Sequence, residues 1–119
     1  MAITLMSIFR RRAGMSHAAF VDYYETVHRL IGERVLAGYA TRYVRRFTTP
    51  IDGEERGDEV DAVLEIDFPS QERMEAFFAS VQDPQIAAMI AEDEPKLFDA
   101  ATMRSYVLDE RVSEMPPVE

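Results

Sequence analysis

A chain of 119 residues, 47% of them hydrophobic and 29% charged, is long enough for one modest core. It has no cysteine, which removes disulfides, thiolate nucleophiles and cysteine metal sites. Its net charge of −9 argues against nucleic acid and anionic membrane as partners. That charge is uneven: residues 1–46 hold eight arginines against three acids (+5), and residues 47–119 hold five bases against nineteen acids (−14). Arg10-Arg11-Arg12 and Arg42, Arg45, Arg46 are read as strand-end charges, solvated or facing acids, in preference to phosphate sites. No apolar run approaches the roughly 20 residues of a membrane span. The first nine residues are apolar, but the arginines follow them, the reverse of a secretory signal. The expected compartment is therefore the cytoplasm.

Residues 3–12 read as a strand rich in Ile, Leu and Phe, ended by Ala13-Gly14. Ser16 is an N-cap candidate. Phe20, Tyr23, Tyr24, Val27, Ile31 and Val35 then recur at steps of three and four, which predicts an amphipathic helix of about five turns closed by Gly38. Residues 39–49 read as a second strand, with Tyr39, Thr41, Tyr43 and Phe47 on one face. Residues 50–59 are a polar, acidic turn region. Residues 60–68 form a third strand, with Ala62, Leu64, Ile66 and Phe68 on one face and Glu65 and Asp67 on the other.

Pro69-Ser70 opens a helix with Met74, Phe77, Phe78 and Val81 as its apolar stripe. Asp83-Pro84 starts a shorter one buried by Ile86, Met89 and Ile90. Residues 96–101 read as irregular or a turn of helix, and 103–112 as the fourth strand. Residues 113–119 form a flexible tail, so the domain is 1–112. The order β-α-β-β-α-(α)-β predicts an α+β domain, the ferredoxin-like split β-α-β plait. Its helix-free sheet face needs cover, which a second copy would supply.

The segment FRRRAGMSHAAF at 9–20, leading into YYETVH at 23–28, resembles the EthD family. There a strand ends in basic residues, a Gly turn and Ser/Thr cap follow, and the helix carries Phe-x-x-Tyr-Trp-x-x-x-His. Tyr24 stands where Trp is common, and Arg29-Leu30 where Ala-Pro often follows the histidine. Residues 63–68, 70–80 and 83–99 resemble the family's later strand, helix and acidic segment. The resemblance covers about residues 3–112 and implies a dimeric α+β barrel. Related folds include polyketide cyclases, muconolactone-type isomerases, and haem-degrading and quinone-forming monooxygenases.

His28, four residues after Tyr24, is expected beside the buried stripe, lining an internal cavity. Its imidazole suits general acid/base work, and the resemblance implies a histidine with a catalytic part at this position. The competing reading is a satisfied structural histidine. Tyr24 and Tyr39 are candidate oxyanion donors, with Tyr43 and Phe20 beside them as substrate contacts. Glu65 and Asp67 are candidate bases, substrate contacts, or groups that orient His28. Asp99 matches an acidic position of the family's late segment. Tyr23 is read as packing, and His17 as exposed. Two histidines eleven residues apart make no metal site, and nothing beyond His28 supports haem, so the expectation is no cofactor and no metal.

The expected function is proton-transfer chemistry (isomerisation, dehydration or cyclisation) on a small apolar or aromatic, lactone or polyketide-like substrate. The alternatives are a cofactor-independent monooxygenase or oxygenase accessory protein, and a non-catalytic binding dimer. The expected partners are a second copy and the substrate, without nucleic acid or membrane.

Overall fold

The computed structural model describes residues 2–56 and 59–119. Four strands, β1 (Ile3–Arg11), β2 (Arg42–Phe47), β3 (Ala62–Phe68) and β4 (Phe98–Val107), form one antiparallel sheet in the order β2-β3-β1-β4. The helical segments are α1 (His17–Tyr23), a π turn (Tyr24–His28), α2 (Arg29–Leu36), α3 (Gln71–Ser80), α4 (Pro84–Asp93) and a 3-10 turn (Glu94–Lys96). This is the ferredoxin-like α+β plait that the element order predicts. Among the described residues no helix is long and apolar enough to cross a membrane.

Local chemistry sets the helix starts. The Ser16 hydroxyl accepts from the Ala19 amide, Ser70 from Arg73, and the Asp83 carboxylate from Gln85 and Ile86, ahead of Pro84 in the first turn. Gly38 follows the end of α2 at φ +85°, a conformation that glycine adopts without strain.

The pleat sends Leu5, Ser7 and Phe9 of β1, and Ala62, Leu64, Ile66 and Phe68 of β3, to the helix side. Two buried clusters result. Phe9, Phe20, Tyr24, Ala62, Leu64, Leu97 and Phe98 make one; Leu5, Leu36, Ile66 and Phe68 make the other. The opposite face, which carries no helix, holds Met6, Ile8, Val44, Val63 and Tyr106 among charged neighbours. Arg46 pairs with Glu65 there at 3.0 Å, and the Thr4 hydroxyl donates to Asp67 at 2.7 Å.

Two strands differ from expectation. β2 begins at Arg42 instead of residue 39, because Tyr39 and Ala40 still bond back to the Leu36 carbonyl. β4 begins at Phe98, inside the stretch read as irregular, and ends at Val107. Phe98 is drawn into the core, 3% exposed, with its ring 4.3 Å from that of Phe9. A bulge between Ile8 and Arg10 absorbs the resulting register shift. Past the Leu108 amide, which donates to the Thr4 carbonyl, residues 109–119 are exposed.

Gly32 of α2 lies against Tyr43. A Cβ there would fall 2.8 Å from the Tyr43 hydroxyl and 2.9 Å from its ring. Alanine normally gains about 1 kcal/mol over glycine inside a helix. Forcing a held ring aside costs about 1–3 kcal/mol. Gly32→Ala is therefore expected to lower the urea unfolding midpoint slightly; a raised midpoint would mean that Tyr43 swings away freely.

Candidate functional site

The long helix does not keep one period. At residues 24–28 it widens into a π turn, with the Arg29 amide bonding the Tyr24 carbonyl five residues back. Such turns re-aim side chains, and here two groups of different character are presented.

The inner group is phenolic. Tyr24 is fully buried, stacked on Phe9 and edge-on to Phe20 and Phe47. Its hydroxyl lies 2.7 Å from that of Tyr43. Burial raises both phenols above their ordinary pKa, so both remain protonated. Beside them Arg45 forks onto Glu25 with bonds of 2.8 and 3.0 Å, and its guanidinium lies over the Tyr43 ring.

The outer group is ionisable. His28 Nδ1 lies 2.8 Å from Oδ2 of Asp93, the last residue of α4. The Tyr23 hydroxyl donates to Oδ1 of the same carboxylate at 2.5 Å. The side chains of His28 and Asp93 are 14% and 8% exposed. That hydrogen bond, followed by burial and the charges of Asp93 and Glu92, pushes the Tyr23 hydroxyl up to about 12. Burial likewise raises the neighbouring Glu94 carboxyl, against the pull of His28. His28 Nε2 has no hydrogen-bond partner among the described residues. A ring with one nitrogen held by a buried carboxylate and the other open is the arrangement of an oriented acid/base histidine.

Residues 12–101 match the EthD domain family. The chain belongs to that family. No protein of curated function matches it by sequence. Among solved structures it is similar to an ethyl tert-butyl ether d (EthD) family protein from Bacillus halodurans, at 12% identity and TM-score 0.64, covering 93% of this chain and 100% of that one. A dimeric ferredoxin-like protein of unknown function from Thermobifida fusca is 14% identical, with TM-score 0.61 and coverage of 91% and 90%. The hydroxynitrile lyase of Passiflora edulis is 13% identical, with TM-score 0.55 and coverage of 94% and 97%. At these identities the likeness is one of fold.

In this EthD-domain chain the residues singled out from sequence separate into distinct places. His28 and Tyr24 do come together, with ring centroids 5.0 Å apart. Tyr43 joins Tyr24, and Phe20 is a fully buried core ring. Tyr39 does not join them: it packs on Phe77 in the other cluster. Glu65 and Asp67 point to the helix-free face and are engaged with Arg46 and Thr4, so neither orients His28. Asp99 is exposed and accepts from the Ala101 amide. His17 is partly covered, 3.3 Å from Asp61, a buried carboxylate that also holds Arg11. No cluster of three metal-ligating side chains occurs among the described residues.

Among the described residues, five hollows have linings that do not include His28. Its ring stands edge-on to Tyr24 and Phe98, and the aromatic core fills the space between helix and sheet. A hollow of about 330 Å³ lies instead among Arg10, Arg12, Gly14 and Asp99, and one of about 320 Å³ among Arg42, Glu65, Asp67 and residues 108–111.

Asp93 and Tyr23 were not legible as site residues. Asp93 sits in the acidic run Glu92-Asp93-Glu94, where nothing in the sequence marks one carboxylate as buried. Tyr23 reads as packing because 3.6-residue geometry turns it about 100° from Tyr24. With the π turn between them, Tyr23 and His28 both reach Asp93.

Proposed function

We propose that this EthD-domain protein is a cofactor-free enzyme that moves a proton at carbon in a small apolar or aromatic substrate, with His28 as the base. The observation that carries this is the His28–Asp93 contact. A carboxylate accepting from Nδ1–H favours the tautomer whose lone pair sits on Nε2. That nitrogen is the one without a partner, and its ring touches solvent. Isomerisation, dehydration and cyclisation share the same first step, removal of an acidic C–H proton. The likeness in fold to a hydroxynitrile lyase is compatible with a small enzyme of this kind. Tyr24 is not assigned the oxyanion, because its hydroxyl is taken up by Tyr43 inside the core. Incubation in D2O with a panel of enolisable aryl ketones and unsaturated lactones, followed by proton NMR, tests the reading. Exchange above the buffer rate is expected for at least one member, and buffer-rate exchange throughout the panel would sink it.

One observation favours a second reading. No described hollow of substrate size is lined by His28. On that reading the His28–Asp93 bond is a clamp tying α4 to the long helix, and the protein is a non-catalytic binder.

We infer that the protein is a homodimer. Met6, Ile8, Val44, Val63 and Tyr106 share a face that no helix among the described residues covers. Burying apolar surface contributes roughly 25 cal/mol per Å². Sedimentation at micromolar concentration is expected to return twice the chain mass of 13.6 kDa; a stable single-chain species would overturn the pairing.

A further inference from the structure

Tyr23 and His28 are five residues apart, a spacing that an ordinary α-helix sets on different faces. The π turn between them brings both side chains to the single carboxylate of Asp93. Each oxygen has one of them: Oδ1 accepts from Tyr23, and Oδ2 lies against His28 Nδ1. A buried carboxylate with a single donor is free to rotate its second oxygen away. One held at both ends is not.

We infer that Tyr23 is a positioning residue: through Asp93 it fixes the tautomer and tilt of His28, and the π turn is the backbone device that makes this possible. The inference rests on the reading of His28 as a base working through Nε2. It goes beyond that reading by assigning a role to Tyr23, outside the Tyr24–Tyr43 pair. Chemistry supports it independently. The hydroxyl is kept protonated well into alkaline conditions, because ionising it would set a phenolate against Asp93. It therefore acts only as a donor toward the carboxylate. The negative charge of Glu92, next to Asp93 in the chain, further disfavours a phenolate. Carboxylates that orient a histidine elsewhere are themselves held by hydrogen bonds, and losing such support loosens the imidazole.

The test needs no substrate. Nitrogen-15-labelled wild type, Tyr23→Phe and Tyr39→Phe are compared by long-range proton–nitrogen correlation spectra of His28, at about pH 8.5, where an ordinary imidazole is neutral. Tyr39 packs in the other cluster and serves as the control. Wild type and Tyr39→Phe are expected to show the Nδ1–H tautomer alone. Tyr23→Phe is expected to shift to a mixture containing the Nε2–H form that an unconstrained imidazole prefers. A folded Tyr23→Phe protein with the wild-type pattern would overturn the positioning role while leaving the base assignment standing. A wild-type ring already in the Nε2–H form would instead overturn the base assignment, and the role of Tyr23 with it.

Discussion

Replacing His28 by alanine is expected to slow carbon-proton exchange by about 10²- to 10⁴-fold, the usual contribution of a general acid or base. The stability effect should be smaller. Asp93 would lose its Nδ1 partner but keep the Tyr23 hydroxyl, so the cost is that of one weakened site, about 1–3 kcal/mol. His28→Gln separates the two roles. Its amide can donate to Asp93 but cannot take up a proton, so unfolding midpoints should recover while exchange stays low. If alanine leaves the exchange rate intact, His28 is not the base. If alanine unfolds the protein and glutamine restores it, with no exchange in any variant, the clamp reading holds.

Phe9→Ala is expected to remove about 3–5 kcal/mol of stability, the range for emptying a packed aromatic site. Phe9 is 1% exposed, at the middle of the sheet, with ring centroids 4.3 Å from Phe98 and 6.1 Å from both Phe20 and Tyr24. No neighbouring side chain can collapse into that volume without breaking another contact, because each ring is itself wedged by the others. Domains of this size have about 5–15 kcal/mol in total, so the variant should unfold at far lower urea or lie partly unfolded in buffer. A loss under about 1 kcal/mol would mean that the helices do not pack on β1 as described. Because Tyr24 stacks on Phe9, a folded Phe9→Ala protein should also loosen the His28 ring that stands edge-on to Tyr24.

Some of this protein could be read directly from its residues. β3 alternates buried and half-buried side chains through its whole length, from Ala62 to Phe68, and a period of two has one structural meaning. Ser16, Ser70 and Asp83-Pro84 mark helix starts because their oxygens satisfy amides that the helix leaves free, a local transaction needing no tertiary contact. From such signals follow the plait and the pairing of Tyr24 with His28 on one helix.

Other features answer to forces that act across the chain. Phe98 opens β4 with its backbone paired to Arg11 and its ring packed on that of Phe9, while its own neighbours, KLFDAA, carry no alternation. Tyr39 stays out of the sheet because the end of α2 holds its amide. Asp93 is one of three consecutive carboxylates, with Glu92 and Glu94, until α4 docks and buries it against Tyr23 and His28. Local sequence thus determined the order of the elements, the helix starts and the buried face of β3, since hydrogen-bonding caps and period are properties of a few consecutive residues, but not every buried helix position: Val27 and Phe78, expected on apolar stripes, are exposed. Only the tertiary structure decided which carboxylate meets His28, because burial and partner choice belong to segments 65 residues apart, and a π turn changes the angle at which the long helix presents its side chains.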